Sequence, residues 1–332
     1  MRGAIRIFII VAVLYGGYWF VVSTAIEQGA NTWLEDRRTE GWVADADVQT
    51  TGFPLSFNTM LENIQLADPE TGLAWTAPSF QFQAQSYTPS YIDVVFADRQ
   101  SLASPYETLD LQSEVMQASV GFQPGPSLTL DLSSVSVRNM QIRSSQGWQS
   151  RFAVGDFTTA QAEAVPDAHD IKAELTELVL DRQLKRRLDP AGLLPDDIQM
   201  MQVDMTAGFD KPWDRFAVEQ ARPQPTFFDV ELIRANWGDL ELRATGRVDI
   251  DDQGVPDGRI HIKAENWREI LGVAVQAGFV PQDILPTIEN ALQILAGLSG
   301  NPNSLDVPMT FQNGTMFFGP IPLGPAPVIR LR

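Results

Sequence analysis

Hydrophobic positions follow two regimes along this chain. From Ala4 to Ile26 the sequence AIRIFIIVAVLYGGYWFVVSTAI is almost unbroken apolar residues with one charge, Arg6. From Val43 onward apolar and polar residues alternate with period two. Phe80, Phe82 and Ala84 share one parity, with Gln81, Gln83 and Gln85 on the other. Leu128, Leu130 and Leu132 alternate in the same way, then Val135 and Val137 take the opposite parity, so a bulge or bend is expected after Ser133-Ser134. The pattern resumes at Leu240, Leu242 and Ala244, at Val248 and Ile250, and at Ile260 and Ile262. Such strands carry one apolar and one polar face, as in antiparallel sheets with one side wet.

Turn chemistry separates the strands: Gly52-Phe53-Pro54, Asp68-Pro69-Glu70-Thr71-Gly72, Pro124-Gly125-Pro126 and Asp251-Asp252-Gln253-Gly254. Gly52 permits unusual backbone angles, and Pro54 opens the next strand, where its missing donor matters least. Three- and four-residue spacing appears mainly late. Asn266 is expected to cap a helix carrying Trp267, Ile270, Leu271, Ala274 and Val275, ending near Gly278. Pro281 opens a second, with Ile284, Leu285, Ile288, Leu292 and Leu295 on one face, and Gly297 and Gly300 stop it. Strands at Leu305 to Phe311 and Thr315 to Phe318 come after it.

The fold class expected is mainly β: an amino-terminal transmembrane helix, then a long, meandering, strongly twisted antiparallel sheet with two short helices near the carboxyl end. Residues 1–3 form a cytoplasmic tail, 4–26 a signal anchor, and 27–332 an exported β-rich domain with a helical pair at about 266–297 inserted. The 23 residues of the anchor exceed the roughly 20 needed to cross about 30 Å of hydrocarbon. Arg2, Arg6 and the α-amino group make its leading flank positive, whereas Glu27, Glu35, Asp36 and Glu40 outnumber Arg37 and Arg38 on the other side. The positive-inside tendency therefore holds the amino end in the cytoplasm and exports the rest. Ser23-Thr24-Ala25 offers the small residues of a cleavage site, but the apolar run is longer than a signal h-region and carries bulky aromatics late. An uncleaved anchor is the expectation, giving a single-pass chain whose main domain is exported.

Charge then narrows the partners. A net charge of −18 argues against a nucleic-acid partner, which needs an extended positive field. The absence of cysteine removes disulfides, thiolate catalysis and cysteine-based metal sites. No nucleophile elbow, zinc-binding H-E-x-x-H helix or phosphate-binding loop occurs, so catalytic, cofactor-binding and metal residues are all expected to be absent, and with them enzymatic activity. Of the two histidines, His261 falls on the polar parity of its strand, and His169 reads as part of a solvated loop before the Ile171 strand. Asp249 to Gly254 imitates the start of a calcium loop, but position twelve is Ile260 and the flanks are strands, so it reads as a hairpin turn. Arg182, Lys185, Arg186 and Arg187 form a basic cluster that reads as a solvated helix face.

Three stretches resemble a bacterial envelope family catalogued as a domain of unknown function, DUF2125: GWVADADVQTTGFPLSF, RVDIDDQGVPDGRIHIKAENWREILGVAVQAGFVP and FQNGTMFFGPIPLGPAPVIRLR. Their landmarks are Trp267, Asn313-Gly314, Gly319-Pro320 and Gly324-Pro325-Ala326-Pro327. The resemblance implies a single-pass protein of the bacterial inner membrane with its main domain in the periplasm, and it brings no catalytic residues. More distantly, an anchor followed by long alternating strands is similar to AsmA-like envelope proteins, whose curved sheets enclose a groove suited to lipid chains. That resemblance implies a β-domain that binds or guides lipid or another amphipathic ligand. The alternative is a non-enzymatic adaptor binding another envelope protein.

Overall fold

A computed structural model describes residues 2–331 except 220, 279, 299 and 300. The chain is mainly β. Helix α1 spans Arg2–Thr39, and the seventeen strands after it pair antiparallel in every register given below. Chain contacts divide the molecule into two compact units, residues 1–122 with 140–147, and residues 123–139 with 148–332.

In the first unit, α1 continues 13 residues beyond the apolar run that ends at Ile26. The chain turns at Gly41 (φ 92°), and β1 (Val43–Thr51) runs back alongside the helix. Arg38 pairs with Asp45 at 2.9 Å, and farther along β1 the Thr50 amide donates to the Glu27 carboxylate. β1 pairs with β2 (Ser56–Asp68), β2 with β3 (Leu73–Gln85), and β3 then serves two partners. Its carboxyl-terminal half pairs with β4 (Thr88–Phe96) and its amino-terminal end with β5 (Arg99–Ala103). β4 pairs with β7 (Val115–Phe122), β5 with β6 (Thr108–Gln112), and β6 with residues 141–144 of β8 (Leu130–Ser144). Leu128, expected on a strand, precedes β8 with φ 50°. β8 runs through Ser133-Ser134, and its left-handed residue comes later, at Asn139.

The second unit is a meander in which each strand pairs with the next: β9 (Gln149–Gln161), β10 (Ala168–Val179), β11 (Asp197–Phe209), β12 (Pro225–Trp237), β13 (Leu240–Ile250), β14 (Pro256–Glu265), β15 (Ser304–Gln312), β16 (Thr315–Phe318) and β17 (Ile321–Pro325). Short helices α2 (Arg182–Leu188) and α3 (Arg215–Glu219) interrupt it, and α4 (Trp267–Ala277) and α5 (Leu285–Leu298) join β14 to β15. Asn266 is left-handed and makes no side-chain cap, contrary to the sequence expectation. Its side-chain amide instead donates to the Asp239 carbonyl, tying α4 to the β12–β13 turn. Gly278 closes α4 as expected, and a 3₁₀ turn, Gln282–Ile284, precedes α5. Gly300 lies outside the described residues.

The α4–α5 pair builds the clearest core. Trp267, Leu271, Ile288, Leu292 and Ala296 pack on Ala264, Leu305 and Val307 of β14 and β15. The Trp267 indole also donates to the Pro302 carbonyl at 3.0 Å, closing the base of the pair. A different constraint fixes the β13–β14 hairpin. Gly246 (φ 138°) and Gly258 (φ 143°) sit on facing strands, and a β-carbon on either would collide with a carbonyl oxygen of the other strand, that of Arg259 or of Arg247.

Two outcomes are expected in urea denaturation of the full chain. Leu292→Ala leaves a cavity under the helix pair and costs about 2–5 kcal/mol. Gly246→Ala is also destabilising, because its clash is with backbone; a midpoint equal to wild type would show that the hairpin can relax around the added methyl.

Candidate functional site

The strand registers place the apolar parity on a common face in each unit. In the second unit Phe157, Ala173, Val203, Ile233, Ala244, Ile262 and Val307 stand opposite one another from β9 to β15. A flanking row runs through Leu175, Met201, Ala235, Leu242, Ala264 and Leu305. On the other side lies Ile171, Met205, Val230, Gly246, Ile260 and Met309. β-Bulges in β12 between Val230 and Ile233 keep these rows in phase. The opposite face holds Asp156, Glu174, Gln202, Arg234, Arg243, Lys263 and Asp306 in one row. His261 belongs to this polar parity, as expected.

Cover over the apolar face is uneven. Helices α4 and α5 bury Ala264, Leu305 and Val307 to 4% exposure or less, while at the β9–β11 end Phe157 remains 39% and Met201 41% exposed. An apolar face half covered by its own helices leaves side chains whose transfer from water is worth roughly 1.5–3 kcal/mol each when fully buried.

The first unit repeats the arrangement. Leu61, Phe80 and Phe96 form one row, Thr59, Phe82, Val94 and Ala118 the next, and Phe57, Ala84, Ile92 and Val120 the third. Helix α1 meets this face at one end. Trp19 stacks on Phe57 with ring centroids 5.7 Å apart and donates its indole hydrogen to the Ser56 carbonyl at 2.9 Å. Beside it, Thr50 and Thr59 share a buried hydroxyl–hydroxyl bond at 2.9 Å, which satisfies the two polar atoms in the apolar rows. The other side of this sheet is polar. An open cavity of about 640 Å³ there is lined by both polar and apolar residues, with Gln65, Thr76, Arg99, Ser101, Asp110 and Arg143 among the polar ones and Ile64 and Leu111 among the apolar.

Polar groups noted in the sequence take structural places. His169 is 4% exposed at the start of β10, correcting the solvated-loop expectation, and its ring meets Phe209 edge-on with centroids 6.2 Å apart. Burial holds its pKa below the ordinary imidazole value, against the pull of Asp170, Asp131 and Asp167. The basic cluster lies on α2, capped by the Asp181 carboxylate, with Arg182, Arg186 and Arg187 exposed. Its Lys185 is held by the Leu194 carbonyl at 3.0 Å and by Asp189 at 3.4 Å. Burial opposes ionisation of Asp189, but the Leu193 and Leu194 amides and Lys185 outweigh it and lower its pKa. On the polar face Asp156 accepts two hydrogen bonds from Arg138 and one from Ser136, and the Arg138 bonds hold its pKa low. In the calcium-like run the Asp251 carboxylate accepts the amides of Gln253 and Val255, and so it shapes the turn. Among the described residues no three His, Asp or Glu side chains gather where they could hold a metal ion.

Sequence reasoning missed the role of Tyr15. Its hydroxyl donates to the Pro54 carbonyl at 2.9 Å and lies 2.7 Å from the Ser86 hydroxyl, so it belongs to the contact between α1 and the first hairpin. The signal was a tyrosine within an apolar helix, a residue whose hydroxyl needs a partner when withdrawn from water.

These features define a class: a mainly β protein with amphipathic antiparallel strands, led by one helix, Arg6–Thr39, long and apolar enough to cross a membrane. The chain belongs to the family described as "Uncharacterized protein conserved in bacteria (DUF2125)", whose profile matches residues 19–327. No curated protein and no solved structure gives a significant match.

The histidine yields a pH prediction with a definite sign. A base whose pKa is depressed on folding binds protons more readily in the unfolded chain. The contribution of His169 is thus complete above the unfolded value of about 6.5 and is lost progressively as pH falls below it. Asp156 and Asp189, whose pKa values are lowered, act in the other range: they stabilise above about 3.9 and lose that effect only in stronger acid. The melting temperature should therefore fall between pH 7 and pH 5 in the wild type, and that slope should flatten in His169→Leu.

Proposed function

We propose that this protein is a non-enzymatic, membrane-anchored envelope protein whose β-units hold or guide lipid acyl chains along their apolar faces. Helix α1 is the single-pass anchor in the bacterial inner membrane, and the positive leading flank leaves the β-units in the periplasm. The observation that carries this reading is the three-row apolar face of the second unit, covered by α4 and α5 at its β14–β15 end and left partly open at Phe157 and Met201. A stripe several strands long and apolar throughout suits an extended hydrocarbon chain, which needs contact area and no hydrogen bonds. The same face in the first unit starts at Trp19 and Phe57, next to the anchor. A net charge of −18 keeps the outer surfaces from adhering to anionic headgroups, so contact with lipid is confined to uncharged faces.

The test places a photo-cross-linking phenylalanine at Met201 or Phe157 of the full-length protein in cells grown with labelled phosphate. Irradiation is expected to give organic-soluble phospholipid adducts at both positions and none at Gln202, whose side chain has the opposite parity. Adducts to another protein at Met201 and Phe157, with no lipid, would overturn the reading in favour of an adaptor.

A further inference from the structure

The contact between α1 and the first hairpin sets the depth of that hairpin in the membrane. The apolar run of 4–26 is about 34 Å long, enough for a complete crossing. The loop between β1 and β2 is fastened well inside that run. Phe53 lies edge-on to Trp19 at 5.4 Å and stacked on Phe20 at 5.8 Å, and Tyr15 and Tyr18 bond to Pro54 and Ser86. Tyr15 is 11 residues, or about 16 Å of helix, before Ile26. Were the loop in water, only residues 4–14 would remain for the hydrocarbon, about 16 Å and half of what a bilayer requires.

We infer that the tip formed by Phe53, Pro54, Leu55 and Tyr87 is inserted into the outer leaflet beside α1, a second membrane contact fused to the anchor. Three observations converge on it. Phe53, Leu55 and Tyr87 are 54%, 64% and 69% exposed, and Phe20, on which Phe53 stacks, is exposed as well. Charge avoids the region: residues 48–61 and 71–92 contain no Asp, Glu, Lys or Arg, in a chain where 20% of residues are charged. Finally, five carbonyls in and around the tip are satisfied within the protein, which lowers the cost of taking that backbone out of water. The Gly52 carbonyl accepts the Leu55 and Ser56 amides, Pro54 accepts Tyr15 and Ser86 hydroxyls, Leu55 accepts the Ser86 amide, Ser56 accepts Trp19, and Ser86 accepts Tyr18. Glu27, bonded to the Thr50 amide, marks the level at which charge returns. The insertion brings the uncharged ends of β2, β3 and β4 to the acyl chains. It rests on the anchor reading of α1 and holds whether or not the sheets carry lipid.

The chain has no cysteine, so single-cysteine variants label one site each. Full-length Leu55→Cys, Tyr87→Cys, Val11→Cys and Thr71→Cys proteins, each bearing an environment-sensitive fluorophore, are reconstituted into phosphatidylcholine vesicles with spin-labelled lipids. Thr71 sits in the turn at the opposite end of the β2–β3 hairpin. The expected result is blue-shifted emission at Leu55 and Tyr87 with loss of intensity to shallow spin labels, and at Thr71 quenching by aqueous iodide alone. Iodide quenching at Leu55 and Tyr87 with lipid quenching retained at Val11 would overturn the insertion and leave the anchor. Iodide quenching at Val11 as well would overturn both. All four positions are exposed, and circular dichroism confirms that each variant is folded.

Discussion

A sheet whose strands alternate apolar and polar residues must do something with its apolar face, and this requirement organises the molecule. Backbone pairing satisfies the polar groups of each strand at the cost of collecting its hydrophobic side chains on one surface. In the second unit α4 and α5 cover part of that surface, burying Trp267, Leu292 and Ala296 against Ala264, Leu305 and Val307. In the first unit the cover comes from α1, through Trp19 on Phe57 and Leu34 at 2% exposure. In the second unit that cover is incomplete, since Phe157 and Met201 stay 39% and 41% exposed.

Charge and burial are distributed to match. Carboxylates and guanidiniums concentrate on the polar parity, where Asp156 with Arg138 and Lys172 with Asp204 pair across neighbouring strands. Exposed pairs of this kind contribute little stability individually, on the order of 0–1 kcal/mol, but they keep the wet face wet. Where polar side chains enter the apolar side they arrive in bonded sets: Thr50 with Thr59, and Gln100 with the Trp75 indole and the Ala97 carbonyl. The helix pair and the α2 loop obey the same rule, with Asp189 at 7% exposure accepting two backbone amides and Lys185.

The return of β1 along α1 ties the long apolar helix into the first sheet. A helix that ended in solvent would leave the sheet after it free to turn about its end. Here the chain reverses at Gly41, and Arg38–Asp45, Glu27–Thr50 and Trp19–Phe53 bind strand to helix in successive steps. The first hairpin is therefore oriented by the helix, and so is the apolar face that begins at Phe57.

Much of the fold could be read from the chain because its signals are local. Period-two alternation depends only on neighbouring residues, so the antiparallel strands, the polar parity of His261 and the hairpin at Asp251 could be inferred directly. The apolar run of 4–26 announced a long apolar helix for the same reason, and three- and four-residue spacing located α4 and α5. What escaped the sequence depends on residues distant along the chain. Asn266 was free to cap α4 until the Asp239 carbonyl, 27 residues away, claimed its side-chain amide. His169 looked solvated between two aspartates because Phe209, 40 residues on, could not be placed over it. Tyr15 and Trp19 read only as aromatics of an apolar span until Pro54, Ser56 and Ser86 supplied acceptors. Alternation by itself determined that each strand has an apolar face; only tertiary structure decided which parts of those faces are covered, because cover is made by elements that meet across long stretches of sequence.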